Sequence, residues 1–576
     1  MGTAASVKEC SVKDCRRSSA EEVAAVVADL SEADRAHLAA SFDNYYCPEA
    51  ALVKRRDNSE NQANIHGLRL AVKANKLLVH EERSLLEENF DLILANYKAA
   101  FRGNLEMVNQ STDAIYKNRF AILTALKAEG AVQENFLNYK YDESSLEYLD
   151  HCCFLNTRVA KVNFLMADAN EKYLELVEHI QKINDEIVAF NHGQAETNSK
   201  LLEFGVLAEK PTQQTIAESI ACNRERLKTI LGRNNEYNAE VHVREKVISE
   251  NREKIQGNAK LILERRAQIS ANWKAIEANV AKLQEKVRSY GSEAARRGLI
   301  SALRNLDEED TKKIADALAT PLPADEVIER NRKELCEIEA TIFHLHHEAM
   351  TKKDHLCSVR SLLEENRWLI HKNYIGALGC NWLCEDQITD DIFRLRSALL
   401  GKSSIGDAVQ RDALDSKYNE AEIDYLEHLS LVNNQVAKGN IKMADLIQDL
   451  IAINDEIMEG NQEIVARNTA AVATNAKWLE FGLSPHNATP KDDNECITAD
   501  VEMIKLIKRI SVYDMSPDQM LERSAEQRAI IRKHAESIRD GRHSIPEQRS
   551  QILEIGKHIE GMIRNECSVA TLPLLT

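Results

Sequence analysis

The sequence predicts an all-α protein made of long helices that pack against one another lengthwise. The chain has only 20 Gly and 9 Pro among 576 residues, about 5% against roughly 12% in an average protein, so turns are scarce. Charged residues make up 29% and hydrophobic residues 44%, as expected of amphipathic helices with one buried stripe. Together with an internal repeat and a heptad pattern, this predicts elongated, coiled-coil-like helical bundles.

The chain repeats itself at an offset of 277 positions. The stretch Ser84–Tyr97, "SLLEENFDLILANY", matches Ser361–Tyr374, "SLLEENRWLIHKNY", and 17 of 36 positions are identical over 84–119 at this offset. The same offset places 140–168 on 417–445 with 14 of 29 identities. Chance does not produce such similarity, so the sequence predicts two tandem repeat units of this length.

Proline positions and composition give the predicted organisation of these units. No proline occurs between Pro48 and Pro211, so helices can run long in this span. Each unit is expected to begin with a short helix and to continue as three long helices, with polar connections at 126–145 and 400–410. The predicted regions are a leader at 1–17, units at 18–295 and 296–571, and a tail at 572–576. The long helices of the first unit are predicted at about 60–126, 145–204 and 213–290.

A heptad seam marks the second long helix. Twelve apolar or weakly polar residues alternate there by three and four positions, which is the a and d pattern of a left-handed coiled coil. They are Cys152, Leu155, Val159, Val162, Met166, Ala169, Tyr173, Leu176, Ile180, Ile183, Ile187 and Phe190.

Asparagines recur at one heptad position beside this seam and at the same phase in the second unit. They are Asn156, Asn163, Asn170, Asn184, Asn191 and Asn198, then Asn433, Asn440, Asn454, Asn461, Asn468 and Asn475. In one interpretation they bond to neighbouring helices and fix the register, because a slipped pairing leaves buried amides unsatisfied. In the other, rows of amides meet between molecules in a filament or sheet.

One stretch of this pattern differs in length between the units. The run from Asn184 to Gly205 recurs from Asn454 to Gly482 with seven additional residues. We interpret this as the loss and later gain of one heptad. Only a whole heptad leaves the seam facing its partner helix.

Three short motifs suggest chemistry and fail on inspection. His344, His347 and Glu348 have zinc-like helical spacing, but Thr351 replaces the second histidine of H-E-x-x-H. Cys380 and Cys384 lie one helical turn apart, although the other unit has no cysteines at the equivalent positions. "GKSS" from Gly401 lacks the first glycine of a phosphate loop. We therefore expect no catalytic site, metal or cofactor, and a protein that is not an enzyme.

The N-terminus carries a possible acylation signal. Gly2 and Ser6 fit the N-myristoylation pattern, and Cys10 and Cys15 could accept palmitate as the second signal that stable membrane attachment needs. An ordinary leader without lipid is the alternative.

The net charge of −18 disfavours a nucleic-acid partner. We expect a structural or scaffolding rod that binds protein partners through helix packing and forms homo-oligomers. It would lie in the cytoplasm, as part of the cytoskeleton or at the cytosolic face of a membrane. One alternative is a storage protein that holds a lipid or pigment, with room beside Ala169, Gly439 and Gly460. Another is a membrane-anchored adaptor.

Overall fold

The computed structural model describes residues 49–126, 130–207, 211–290, 326–401, 408–481, 483, 489–510 and 516–569. Within these ranges the protein is all-α, as predicted, and has no strand. The α-helices are α1 (Glu49–Tyr97), α2 (Glu106–Ala125), α3 (Ala131–Phe204), α4 (Gln213–Tyr290), α5 (Glu326–Ile375), α6 (Leu383–Leu400), α7 (Ala408–Phe481), α8 (Pro490–Ile510) and α9 (Pro517–Val569). Two π-helical segments, π1 (Lys98–Leu105) and π2 (Gly376–Trp382), join α1 to α2 and α5 to α6.

These elements form six long helical columns. In chain order, they are column 1 (α1, π1, α2), column 2 (α3), column 3 (α4), column 4 (α5, π2, α6), column 5 (α7) and column 6 (α8, α9). The helices α3 and α7 have 74 residues each. At 1.5 Å per residue each is about 110 Å long, so the molecule is elongated.

Columns 1, 3 and 5 pack together as one three-helix bundle, bundle A. Their helices are parallel, because contacting residues keep a constant separation in sequence. Asn89 and Asn96 of α1 bond to the carbonyls of Ile248 and Ile255, and in both pairs the acceptor follows the donor at the same distance along the chain.

Columns 2, 4 and 6 form a second bundle, bundle B, on the same plan. Asn156 and Asn163 of α3 bond to the carbonyls of Ala349 and Leu356, again with one constant separation in sequence. The helices of bundle B are therefore also parallel to one another.

The two bundles lie side by side and run in opposite directions. The chain leaves bundle A at Ala125 and starts α3 at Ala131, so consecutive columns must reverse direction. Ion pairs across the junction confirm the reversal. Asp150 pairs with Arg467 at 2.8 Å and Glu175 pairs with Lys442 at 3.7 Å, so residue numbers rise along α3 while those of their partners fall along α7. The junction is formed mainly by α3 of bundle B and α7 of bundle A.

The predicted repeat units do not occupy one bundle each. The first unit supplies columns 1 and 3 to bundle A and column 2 to bundle B, whereas the second supplies column 5 to bundle A and columns 4 and 6 to bundle B. Each bundle therefore needs helices from both halves of the chain.

The helix limits differ from prediction in two places. α1 already begins at Glu49, and α3 begins at Ala131, so most of the predicted connection at 126–145 is helical. Its serines fit a helix because Ser144 and Ser145 donate hydroxyl hydrogen bonds to the carbonyls four residues earlier, an arrangement open to Ser within helices. The limits of α4 match the prediction. The leader, the tail and the short first helix of each unit lie outside the described residues.

Isoleucines at seven-residue intervals line the inner face of α4. They are Ile248, Ile255, Ile262, Ile269 and Ile276, and each is buried. Together with the buried asparagines beside it, this stripe packs α4 against columns 1 and 5.

Candidate functional site

The asparagines predicted on α3 are buried and bonded to column 4. None is more than 6% exposed, and each donates from Nδ2 to a backbone carbonyl. The pairs are Asn156 with Ala349 (2.8 Å), Asn163 with Leu356 (2.9 Å), Asn170 with Leu363 (3.0 Å), Asn184 with Ala377 (2.8 Å), Asn191 with Glu385 (3.0 Å) and Asn198 with Ile392 (3.0 Å).

The asparagines predicted on α7 make the same contact with column 1. The pairs are Asn433 with Val72 (3.0 Å), Asn440 with Val79 (3.0 Å), Asn454 with Ile93 (3.2 Å), Asn461 with Ala100 (3.0 Å), Asn468 with Val108 (3.3 Å) and Asn475 with Ile115 (2.9 Å). A carbonyl that already accepts a helical bond has a second lone pair for this purpose.

Most of the bonds follow one direction around each bundle, whereas Asn58 of column 1 donates the opposite way, to the Asp412 carbonyl of column 5. In bundle A, Asn89 of column 1 donates to column 3, and Asn251 of column 3 donates to column 5. Asn440 of column 5 in turn donates to column 1. These amides lie inside one chain rather than on its surface. Their arrangement is that of the first interpretation, bonding between neighbouring helices.

Sequence reasoning missed the asparagines of the other columns. They are Asn61, Asn89, Asn96 and Asn104 in column 1, Asn223, Asn251, Asn272 and Asn279 in column 3, and Asn366, Asn373 and Asn381 in column 4. Intervals of seven, or multiples of seven, relate many of them. The same periodic signal was therefore present in columns 1, 3 and 4 as well as in columns 2 and 5.

The seven-residue difference inferred between the units is absent from the structure. α3 and α7 are equally long, and their first residues are related by the repeat offset itself. Asn184 and Asn461 occupy equivalent places, because the same offset relates their acceptors Ala377 and Ala100. The inference was wrong because a heptad sequence resembles itself when displaced by seven residues.

The apolar seam predicted on α3 faces bundle A rather than the interior of bundle B. Val162 shares a small space with Ile457 and Ile464 of α7. A Cβ at Gly439 or Gly460 would lie 3.5 Å from His179 or 3.6 Å from Arg158, which is ordinary van der Waals contact. The space that a stored ligand would need there is filled by side chains.

Tyrosine and glutamate residues cross the junction between columns 1 and 4. Tyr97 donates its hydroxyl to Glu364 Oε1 at 3.0 Å, and Tyr374 donates to Glu87 Oε1 at 2.9 Å. Burial raises the pKa of both tyrosines, and the adjacent carboxylate raises it further. Both hydroxyls are therefore held in the protonated, donating form.

An aromatic cluster fills the centre of the same junction. Phe90 of column 1 stacks on His371 of column 4 with centroids 5.6 Å apart, and the Tyr173 hydroxyl lies 2.8 Å from His371 Nδ1. Burial lowers the pKa of His371, which favours the neutral ring. The cluster thus joins three columns from both bundles.

Two open cavities flank this cluster. One, of about 430 Å³, is lined by His80, Tyr374 and Trp382, and the other, of about 360 Å³, by Tyr97 and Trp368. Both fall at the small end of the range for ligand sites. They are grooves along the junction rather than enclosed chambers.

The metal-like motif is not assembled into a centre, and the side chain of Cys380 in the thiol motif lies outside the described residues. His344, His347 and Glu348 are exposed, and Glu348 pairs with Lys352 at 2.7 Å. Throughout the described ranges, no group of three or more His, Cys, Asp or Glu is placed to share a metal ion. Burial raises the pKa of Cys152 to about 12, which leaves it a poor nucleophile.

The remaining candidates lie outside the described residues. They are Gly2, Cys10, Cys15 and residues 402–407, so acylation stays a prediction. Among the helices that are described, none has an apolar stretch sufficient to cross a membrane.

Comparison of the chain with protein-family models, with curated proteins and with solved structures found no match. Its function therefore has to be inferred from its own geometry.

Proposed function

We propose that the protein is a structural or scaffolding rod that self-associates or organises partner proteins. The observation that carries this proposal is the antiparallel pairing of two parallel three-helix bundles, bonded by buried amides along about 110 Å of helix. Such a molecule is suited to holding a fixed length and presenting long helical faces. It would act in the cytoplasm, within the cytoskeleton or at a membrane face.

The buried polar layers support a role that needs one fixed register. An amide layer that slips by a single residue leaves donors and carbonyls unpaired, which costs about 1–3 kcal/mol for each group. A slip of seven residues is opposed by Arg244, whose Nε lies 3.1 Å from both carboxylate oxygens of Glu82. That slip would place the buried guanidinium opposite Asn75 or Asn89 and leave Glu240 of its own helix, 3.6 Å away, in place of the buried Glu82 carboxylate.

We also infer that the rod arose by tandem duplication and that its helices supercoil. The π segments support the first point, because the repeat offset places π2 on residues 99–105 of π1. Seven-residue spacing of buried isoleucine in α4 supports the second; a strict heptad repeat requires a left-handed supercoil to keep its stripe buried.

Opposite charges on different faces support association between copies. The helix α4 carries 15 Lys and Arg against 10 Asp and Glu, whereas α3 and α7 together carry 12 against 26. The basic helix lies at one side of bundle A, and the acidic pair lies at the junction. Side-by-side contact between molecules would pair the basic face of α4 with the part of α3 and α7 that the junction leaves exposed.

Ligand storage has less support. Side chains fill the space beside Gly439 and Gly460. Native mass spectrometry of protein from its source organism tests this alternative, and a stoichiometric bound lipid or pigment would favour it over the scaffold. Loss of membrane association in Gly2→Ala would favour the anchored adaptor.

Analytical ultracentrifugation combined with negative-stain microscopy tests the scaffold directly. We expect a rod at high salt and lateral assemblies or filaments as the ionic strength falls to about 50 mM, because charge pairing between exposed faces is then screened less. A compact particle would contradict the rod. A monomer that persists at all concentrations and salt levels, and that captures no partner helix, would contradict scaffolding.

A further inference from the structure

The two cavities that flank the central aromatic cluster are lined by equivalent residues from the two halves of the chain. We name them the Gly379 cavity, of about 430 Å³, and the Arg102 cavity, of about 360 Å³. The pairs related by the offset of 277 are Ser84 and Ser361, Glu87 and Glu364, Tyr374 and Tyr97, Ile375 and Lys98, and Gly379 and Arg102. The two cavities can therefore be compared residue by residue.

The carboxylate of the Arg102 cavity is paired with a cation from the opposite column. Glu364 accepts the Tyr97 hydroxyl, and it also pairs with the Arg102 guanidinium, which reaches it from column 1. A guanidinium and a carboxylate form one of the stronger hydrogen-bonded pairs in proteins. The charge of Glu364 is therefore compensated within the chain.

The carboxylate of the Gly379 cavity has one cation fewer. Glu87 accepts the Tyr374 hydroxyl at 2.9 Å. Among the residues that the structure describes, its ion pair is with Arg83 of its own helix, at 3.9 Å. Arg360 lies at the same distance from Glu364, so this contact is common to both cavities. What Glu87 lacks is a cation from the column opposite.

Gly379 stands at the place of Arg102 and contributes no side chain. Within the described chain, nothing lies within 4 Å of its Cβ position. The Glu87 side chain is 45% exposed, compared with 11% for Glu364. The space that an arginine side chain uses in one half of the molecule is therefore open in the other half.

The lining of the Gly379 cavity also has a net negative charge. Its charged residues are Arg83, Glu87 and Asp91, whereas those of the Arg102 cavity are Lys98, Arg102, Arg367, Glu364 and Glu365. His80 and His371 count as neutral, because burial lowers the pKa of each ring. The formal charge is therefore −1 in the Gly379 cavity and +1 in the Arg102 cavity. This difference favours an organic cation in the Gly379 cavity.

We propose that the Gly379 cavity binds an organic cation with a guanidinium group, held as Arg102 is held in the other half of the molecule. The guanidinium bonds to the open carboxylate of Glu87. Its aliphatic stem lies against the apolar wall to which Ile375 and Leu378 contribute. The cavity volume is within the range of small-ligand sites. This site is additional to the scaffold role and does not depend on it.

Isothermal titration calorimetry with N-acetyl-arginine amide tests the site, because this probe carries one guanidinium and no other charge. We expect one bound probe per chain. N-acetyl-citrulline amide has nearly the same shape without the charge, and it should bind at least about tenfold more weakly, as expected when a hydrogen bond between charged groups is weakened. A wild-type protein that binds neither probe at millimolar concentration, or that binds both equally, would overturn the proposal.

The variant Gly379→Arg supplies the guanidinium from within the chain, as Arg102 does in the other cavity. This variant should lose probe binding. Gly67→Arg is the matched control, at an exposed glycine of α1 with nothing within 4 Å of its Cβ position in the described chain, and it should bind the probe as the wild type does. Wild-type affinity in Gly379→Arg would place the probe elsewhere and refute the proposal.

The reverse exchange keeps the test independent of how well Gly379→Arg folds. Arg102→Gly removes a side chain that is 64% exposed and leaves Glu364 open to the Arg102 cavity. The number of bound probes should rise from one to two per chain. A number that stays at one would contradict the equivalence of the two cavities, on which the proposal rests.

The guanidinium could come from a free small molecule or from an arginine side chain of a second copy of the chain. Analytical ultracentrifugation of Gly379→Arg beside wild type distinguishes these sources. Weaker self-association in Gly379→Arg, with Gly67→Arg unchanged, identifies an arginine of a second copy. Equal self-association in all three proteins identifies a free cation. Probe binding is measured on dilute protein, so that result does not depend on whether the rods associate.

Discussion

The Tyr97 hydroxyl donates a hydrogen bond to Glu364 across the junction of the two bundles, at 3.0 Å from Oε1. Tyr374 and Glu87 repeat the contact at 2.9 Å, with each residue displaced by the repeat offset. The molecule thus makes one interbundle bond twice, on either side of an approximate two-fold axis.

Removing either hydroxyl should weaken the junction by a similar amount. We expect Tyr97→Phe and Tyr374→Phe each to lower the free energy of unfolding by about 1–2 kcal/mol, because a buried bond to a charged acceptor is lost. Urea denaturation followed by circular dichroism measures the change. Tyr141→Phe, at a residue 39% exposed, serves as the control and should change little. A large effect in one variant alone would contradict the equivalence of the two contacts.

The amide rows predict that a buried asparagine contributes more to the free energy of unfolding than an exposed one does. Asn170→Ala removes the donor to the Leu363 carbonyl, which is 3.0 Å away, and leaves that position of the bundle core unfilled. We expect a loss of about 1–3 kcal/mol in the free energy of unfolding. Asn64→Ala changes an exposed residue of α1 and should be close to neutral. Similar stabilities for both variants would mean that the row contributes no register energy.

Heptad spacing predicted the helices and the buried amides well, because both depend on local periodicity. The phase of Asn156 to Asn198 follows from it, whereas the limits of α4 were predicted from proline positions and composition. Periodicity identifies a buried face without identifying the helix that buries it. On α3 the apolar seam and the asparagine row are adjacent, and one meets bundle A while the other meets column 4. The interleaving of the units therefore could not be predicted from the sequence.

The residues of the central Tyr–Glu contacts lie in the most clearly repeated stretch of the sequence, but the repeat alone did not indicate that they form contacts. Glu87 and Tyr97 both fall within "SLLEENFDLILANY", and their partners fall within its repeat. In this stretch each copy supplies one donor and one acceptor to the other. Sequence alone does not show that the two copies face one another in opposite directions.

The π segments lead to a prediction about deletions. Asn96 and Asn104 are eight residues apart, while their acceptors Ile255 and Ile262 are seven apart. π1 therefore accommodates one extra residue without moving the later amides out of phase, as π-bulges do within α-helices. Deleting Gly103 should convert the segment to regular α-helix and restore seven-residue spacing.

We expect the Gly103 deletion to change the free energy of unfolding by no more than about 1 kcal/mol, since it removes a residue of low helix propensity. Deleting Gly257 is the matched control, because this glycine lies in regular α-helix with nothing within 4 Å of its Cβ position. That deletion rotates one half of the α4 stripe by about 100°. It should cost more than about 3 kcal/mol, as multiple core contacts are lost. Thermal unfolding distinguishes the two, and equal destabilisation would contradict the role assigned to π1.

Two aspartates in bundle B predict a pH dependence of stability. Asp142 and Asp500 are 4% and 3% exposed, and Asp142 lies fourteen residues before Asn156, in the phase of the amide row. Burial, with a smaller contribution from the nearby Glu339 carboxylate, raises the pKa of Asp142 to about 7. Burial also raises the pKa of Asp500 to about 8, where Asp142 and Glu143 add to the shift and Lys140 opposes it.

Because folding raises both pKa values, the folded state binds these protons more tightly than the unfolded chain does. Their stabilising contribution is complete below about pH 4, near the ordinary pKa of Asp, and is lost as the pH rises through about 7 and 8. Asn in place of both residues is neutral at every pH and donates a hydrogen bond, as protonated Asp does. We expect Asp142→Asn with Asp500→Asn to stabilise the protein by a few kcal/mol at about pH 9 and by much less at about pH 5, at roughly 1.4 kcal/mol per pKa unit. Urea denaturation at both pH values measures this, with the exposed Asp354→Asn as control. A double variant that gains no more at high pH than at low pH would show that the two carboxylates are not buried in charged form.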